Sequence, residues 1–265
     1  MSRSAMAEVA RLYYIRDLTQ QEIAERLGVS RFKVLRLLEQ ARAEGVVRFE
    51  IDEPVPVHDD LSRRLESRYD ITAVVVERDV ARAAAELLPR LLGRGDVLGV
   101  AWGQTLAAIE QALPELDLGV PVVQICGAID GLVPGAGPTE LAARFAVKIG
   151  GRFHPLDAPA VADAKALRRS VRPTTAIFDD VSIALLGIGA YPDAAGHLLV
   201  HVFDDEGHIV SAEHAIALSV PQLRRARVVA AAGGRGKQRA VAGALRTGLL
   251  DVVVTDAACA RHALR

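Results

Sequence analysis

A chain of 265 residues carrying a formal net charge of −1 and 51% hydrophobic residues has material for one large domain with a buried core plus a small second domain. Two cysteines, Cys126 and Cys259, and no CxxC exclude a disulfide framework; both read as buried thiols of a reducing cytoplasm. The start, MSRSAMAEVARLYYIRD, lacks an apolar targeting core, and no apolar run approaches the roughly 18 residues of a membrane span, so a cytoplasmic chain with no membrane partner is expected.

Residues 5–16 set Ala5, Val9, Leu12 and Ile15 close to helical spacing, which predicts a helix packed on the next segment. That segment, QQEIAERLGVSRFKVLRLLE (residues 20–39), reads as a helix-turn-helix. Ile23, Ala24 and Leu27 share one face of the first helix, and Ala24 is small where a second helix must cross. Gly28 supplies a positive φ at the turn, Val29 is buried there, and Ser30 is an N-cap for the second helix. Burying Val34, Leu37, Leu38 and Ala41 at i, i+3, i+4 and i+7 turns Phe32, Lys33, Arg36 and Gln40 outward. An ordinary helical hairpin shares the amphipathic pattern, but small Ala24, turning Gly28, capping Ser30 and basic Lys33 and Arg36 coincide here. The implied partner is double-stranded DNA, with Gln20, Ser30, Arg31, Phe32, Lys33 and Arg36 as candidate contacts: Lys33 and Arg36 on bases or phosphates, Arg31 on the backbone. Residues 1–48 hold nine Lys and Arg against six Asp and Glu, so the small positive excess sits on this unit.

Glu44-Gly45 ends the helix, and VVRFEI (46–51) alternates weakly as a strand that could serve as a wing. The domains expected are a helix-turn-helix at 1–51, a Pro-rich and charged linker at 52–60, and a ligand-binding domain at 61–265, to which the resemblance given below adds oligomerisation. In the last, β-branched runs at 72–76, 96–102, 120–126, 181–189, 227–234 and 251–256 alternate with helical stretches. Such runs, apolar on both faces, predict a doubly wound, mostly parallel α/β sheet. LVHVFDDEGHIVS (199–211) alternates across DDEG and predicts an antiparallel hairpin.

Ligands of such sheets bind beyond the carboxyl ends of the strands. There the sequence offers Trp102-Gly103-Gln104-Thr105, which is either a ligand loop or a plain strand-to-helix turn. It also offers Gly233-Gly234-Arg235-Gly236-Lys237 before a helix. A nucleotide P-loop is excluded, because Ala231 and Gln238 stand where that motif needs glycine and Ser or Thr. There remains a glycine turn with Lys237 at a helix start, suited to a sugar phosphate without metal unless Lys237 is merely solvated. Asp193 and Asp256 are either acceptors for sugar hydroxyls or helix caps. The seven histidines, at 58, 154, 197, 201, 208, 214 and 262, show no metal spacing; His197 and His201, four apart in one apparent strand, read as surface or packing residues. No cofactor or catalytic residue is implied.

TQQEIAERLGVSRFKVLRLLEQARAEGVV, GDVLGVAWGQTL, VVQICGAI, ELAARFAVKIGGRFHPLDAP, SIALLGIG and the long IALSVPQLRRARVVAAAGGRGKQRAVAGALRTGLLDVVVTDAACA together resemble the SorC/DeoR-type sugar-responsive transcriptional regulators. The resemblance implies an effector domain similar in fold to sugar-phosphate isomerases, a phosphorylated sugar or polyol effector, and homodimers or homotetramers on palindromic operators. Carried over by position, it puts Gly103, Gln104 and Thr105 in a first effector loop, Gly127 and Ala128 in a second, Gly189 in a third, Lys237 at the phosphate, and Asp256 in a loop that usually reads TDE. Ala257 replaces that glutamate, and the chain passes through AYPDAAGHLLVHV where the family usually has a longer helical insertion. Two alternatives remain. One is a sugar-phosphate isomerase or deaminase with a DNA-binding appendage, for which only Asp193 and Asp256 offer a general base. The other is an interaction module with a degenerate pocket.

Overall fold

The computed structural model describes residues 2–48, 55–128, 137–160, 175–210 and 216–265, and the chain divides into two compact units, Met1–Glu53 and Pro54–Arg265. The first unit holds α1 (Arg3–Tyr14), α2 (Gln20–Leu27) and α3 (Arg31–Ala43). Its core is Met6, Val9 and Ala10 of α1, Ile23 and Ala24 of α2, and Val34, Leu37, Leu38 and Ala41 of α3. The α1 face differs from the sequence expectation: Ala5 and Leu12 are only half-buried. Ile15 is 70% exposed because it lies past the last helical residue. Thr19 and Glu22 close a capping box on α2. Gly28 ends α2 with φ 63°, and Ser30 accepts the Lys33 amide at 3.2 Å, as expected of the turn. Gln40, expected outside, is half-buried. Residues 46–48 form no strand, and the rest of the expected wing, 49–51, lies outside the described residues.

The linker expected at 52–60 is shorter on its C-terminal side. Residues 52–54 lie outside the described residues, but Val57 bridges Val76 and α4 (Asp59–Tyr69) begins two residues later. The second unit then supplies β1 (Thr72–Val76), β2 (Leu98–Val100), β3 (Val122–Gln124), β4 (Phe153–His154), β5 (Ile183–Tyr191), β6 (Ala194–Leu198), β7 (His201–Phe203), β8 (Ile209–Val210), β9 (Arg227–Ala232) and β10 (Val252–Asp256). Between them run α5 (Val80–Leu91), α6 (Gln104–Ala112), α7 (Pro138–Ile149), α8 (Val220–Leu223), α9 (Gln238–Arg246) and, last, α10 (Ala257–Ala263). The strands join one sheet in the order β1-β10-β9-β5-β2-β3-β4, all parallel, with β6, β7 and β8 added antiparallel from β5. Val252, Val253 and Val254 of β10 and Ala230, Ala231 and Ala232 of β9 are all 0% exposed, as apolar runs covered on both faces require.

Each of the six predicted runs contains an observed strand; β4, of two residues, and β6 were not anticipated. The 199–211 hairpin is present as β7 and β8 across residues 204–208, with Ser211 outside the described residues. The topology also fixes where a crevice opens. From β2 the chain runs through α6 to β3 and β4 on one side, and from β5 it runs to β9 and β10 on the other, so neighbouring β2 and β5 form the topological switch point. β5 extends past that point. Ile183–Gly187 pair in parallel with β9, whereas Ile188–Tyr191 pair with the returning β6, which walls the carboxyl side of the sheet.

Candidate functional site

A cleft of about 500 Å³ opens at the switch point. Ala101 to Thr105 after β2, Gly187 to Ala190 of β5, His197 and Leu199 from β6 and its turn, and Gly233 and Lys237 after β9 line it. Two helix starts converge there. Gly103, with φ 120°, is the N-cap of α6, and Lys237 is the N-cap of α9. The first amides of a helix have no intrahelical acceptors and carry partial positive charge, which favours an anion in front of them. Lys237 Nζ donates to the carbonyl of Ile188 at 2.8 Å, which fixes the ammonium at the cleft wall and leaves it two further protons to donate. Burial holds Lys237 below the usual lysine range.

In the same cleft the His197 ring stacks on Trp102, with centroids 5.6 Å apart and planes 20° from parallel, while Tyr191 meets it edge-on at 6.4 Å. Burial holds this imidazole below the usual histidine range. The Leu199 carbonyl, 3.0 Å from Nδ1, pulls upward, and the Lys237 charge adds to the lowering. Burial and the lysine charge thus both favour the neutral form of the ring. Behind the stack, the Cys126 thiol is pushed up to about 12 by burial, with the Trp102 indole beside it, and is chemically quiet.

Of the sequence candidates, Gly103, Gln104, Thr105, Gly189, Gly233 and Lys237 are brought together. Gly127, Ala128, Asp193, Gly234 and Asp256 do not line the cleft among the described residues. Gly127 and Ala128 are committed to backbone pairing: their amides donate to Ile216 and Ala158 at 2.9 and 2.7 Å. Asp193 is exposed in the turn between β5 and β6. Asp256 spends both oxygens inside the chain, accepting the Gly234 amide on one and the Cys259 amide, at 2.8 Å, on the other, so it caps α10 and clamps the lysine loop from behind. Sequence reasoning missed His197. His197 and His201 do not share a strand: residues 199 and 200 turn the chain, so His197 faces the cleft, while His201 is buried and bonds the Leu218 carbonyl at 2.8 Å.

On the N-terminal unit, Ser30, Arg31, Phe32, Lys33 and Arg36 are exposed and Gln20 is half-buried. Phe32 reaches 84% exposure. Among the described residues no helix is long and apolar enough to cross a membrane.

The family model described as "Putative sugar-binding domain" matches residues 58–195 and 190–265, and one described as "Sigma-70, region 4" matches residues 5–44. The deoxyribonucleoside regulator of Bacillus subtilis (strain 168) is 30% identical over 297 residues, covering 96% of this chain and 95% of that protein. The chain belongs to the SorC/DeoR type of sugar-binding transcriptional regulators. The sorbitol operon regulator of Klebsiella pneumoniae is 26% identical over 304 residues, covering 95% of this chain and 94% of its own. The crystal structure of that full-length regulator, SorC, superposes with a TM-score of 0.73 at 25% identity and 99% coverage of both chains. Membership makes the chain a sugar-responsive DNA-binding transcriptional regulator rather than an isomerase or deaminase with a DNA-binding appendage. The Bacillus alignment is 297 positions long against 265 residues here, so it crosses gaps in this chain. The two pieces of the sugar-binding match meet at residues 190–195, the β5–β6 turn. That is where the sequence runs short of the resemblance.

Proposed function

We propose that the cleft between β2 and β5 binds a phosphorylated sugar or polyol, and that its occupancy alters the affinity of α3 for a palindromic operator. The observation that carries this reading is that the Lys237 ammonium, at the start of α9, lines the same small cleft as Gly103, Gln104 and Thr105 at the start of α6. The names of the relatives, a deoxyribonucleoside regulator and a sorbitol operon regulator, support a polyhydroxy ligand. Gly103, Gln104, Thr105, Gly189 and Gly233 form the walls, with backbone close enough for hydroxyl contacts. Asp193, Asp256, Gly127, Ala128 and Gly234 act on shape rather than on the ligand. Gln20, Ser30, Arg31, Phe32, Lys33 and Arg36 form the DNA face of the N-terminal unit. The protein works in the cytoplasm as a homodimer or homotetramer, because a palindrome presents the same half-site twice. The ligand must bind one conformation or assembly better than another, since equal binding to both shifts nothing.

Thermal denaturation with a panel of sugar phosphates tests the reading, because a ligand of the folded state raises Tm by mass action. A member of the panel is expected to raise Tm while its dephosphorylated counterpart does not. Lys237→Ala is expected to abolish the shift and the effect on operator binding, while leaving operator affinity without ligand unchanged. A full ligand response in that variant removes Lys237 from the phosphate end.

A further inference from the structure

We infer that His197 Nε2 is a hydrogen-bond acceptor for a hydroxyl of the effector, and that this histidine, supplied by the short β5–β6 return, determines which sugar the cleft accepts. The inference rests on the effector reading of the cleft and specifies the chemistry at its His197 wall. The tautomer is set by one contact. Nδ1 lies 3.0 Å from the Leu199 carbonyl, which can only accept, so Nδ1 carries the proton and the neutral ring has its lone pair at Nε2. Leu199 presents that carbonyl from a left-handed backbone, φ 53°, a conformation a leucine adopts only when its surroundings hold it there. The ring itself is fixed on both sides. It lies flat on Gly189, where a Cβ would fall 1.8 Å from Nε2, and it stacks on Trp102. Among the described residues Nε2 has no partner, and the residue lines the cleft. An oriented, unpaired acceptor in a water-accessible crevice is what a sugar hydroxyl requires, and Lys237, which lines the same cleft and is bonded to the Ile188 carbonyl beside Gly189, provides for the anionic end of the same molecule.

This arrangement depends on the shortening that distinguishes the chain. β6 returns from β5 after the turn at Pro192 and Asp193, which sets His197 opposite Gly189 in the antiparallel register. An acceptor here discriminates against a ligand that lacks the hydroxyl and against one that presents a second acceptor, such as a carboxylate or carbonyl oxygen. A site built to pair with a hydroxyl rejects the analogue without it because its own polar atom is left unpaired.

Isothermal titration of the full chain tests this with inorganic phosphate, a panel of pentose and hexose phosphates, and their monodeoxy analogues. His197→Phe keeps a flat ring over Gly189 and removes Nε2; His197→Gln restores an acceptor. The sugar phosphate that binds the wild type best is expected to weaken about tenfold in His197→Phe, with partial recovery in His197→Gln and no change for inorganic phosphate. One monodeoxy analogue is expected to bind wild type and His197→Phe equally, which identifies the hydroxyl. If His197→Phe binds the sugar phosphate as well as wild type does, or if every deoxy analogue still loses affinity in the variant, His197 is a packing residue and the inference falls. Failure of the underlying effector reading looks different: no phosphorylated compound, inorganic phosphate included, then binds even the wild type, and His197 loses its role with it.

Discussion

Phe32 is 84% exposed at the second position of α3, where a phenyl ring contributes nothing to the core of its unit. The residues that open a recognition helix meet base edges, and the apolar feature a major groove offers is the thymine methyl. Phe32→Ala is therefore expected to leave unfolding free energy within about 0.5 kcal/mol and to weaken operator binding several-fold at fixed salt. Replacing operator thymines one at a time by uracil should reveal one position where wild type loses affinity and the variant does not; no such position removes Phe32 from base readout. At this scale legibility divided according to turn chemistry. Gly103 and Lys237 stood out because glycine and a helix start come directly after apolar runs. His197 did not, because HLLVH reads as continuous strand: the turn at Leu199-Val200 uses two apolar residues, and nothing in leucine announces a φ of 53°. Asp256 was chemically visible but ambiguous, since a carboxylate that caps a helix and one that binds a hydroxyl have the same one-letter code.

Elements were more legible than residues wherever periodicity had length to act. α2 and α3 could be placed from their buried faces and from Gly28 and Ser30, which the structure uses as C-cap and N-cap. β9 and β10 were evident from unbroken Val and Ala runs. β4, with two residues, has no period to detect, and β6, AAGHL, lacks the β-branched side chains that mark a strand; it is held by pairing with β5 and β7 instead. The spacing of Ala5, Val9 and Leu12 displaces the expected face of α1 from the one that Met6, Val9 and Ala10 bury. The α2–α3 turn makes its own prediction. Gly28 sits at φ 63° with open space around its Cα, so Gly28→Ala costs backbone strain alone, about 1–2 kcal/mol. Amide hydrogen exchange should accelerate in α2 and α3 and stay unchanged in α9 and α10, whose unit is separate. Equal acceleration in both would mean that the two units do not unfold independently.

For the whole molecule, the core of the second unit contains both cysteines, 0% exposed, and burial is the first cause that pushes each thiol up to about 12. An acid whose folded value exceeds its unfolded one stabilises the fold fully below the unfolded value and progressively less above it. Taking the ordinary value of 9.0, stability contributed by the two thiols is intact at pH 7 and is lost as pH rises from about 9 towards about 12. Urea denaturation should show a fall of about 1 kcal/mol per thiol between pH 7 and pH 10. The decline should flatten in a Cys126→Ala, Cys259→Ala double variant; an unaltered slope assigns the alkaline loss to other groups. The fold of this unit was readable as a class, a doubly wound parallel sheet, because strands apolar on both faces and separated by helices admit few other arrangements. The switch point was not, since strand order depends on long-range pairing that no local stretch encodes.

One carboxylate, Asp256, holds the glycine loop on one oxygen and starts the final helix on the other. That shared anchorage governs how the chain can be turned into a biosensor. Trimming α10, or fusing a fluorophore-bearing domain into its first turn, would detune the response to sugar even though the helix borders no ligand. The turn at 204–208, exposed at Glu206 and His208, is no free port either: Asp205 accepts from Arg239 Nε at 2.7 Å, two residues past Lys237, so a reporter inserted there would pull on the same helix.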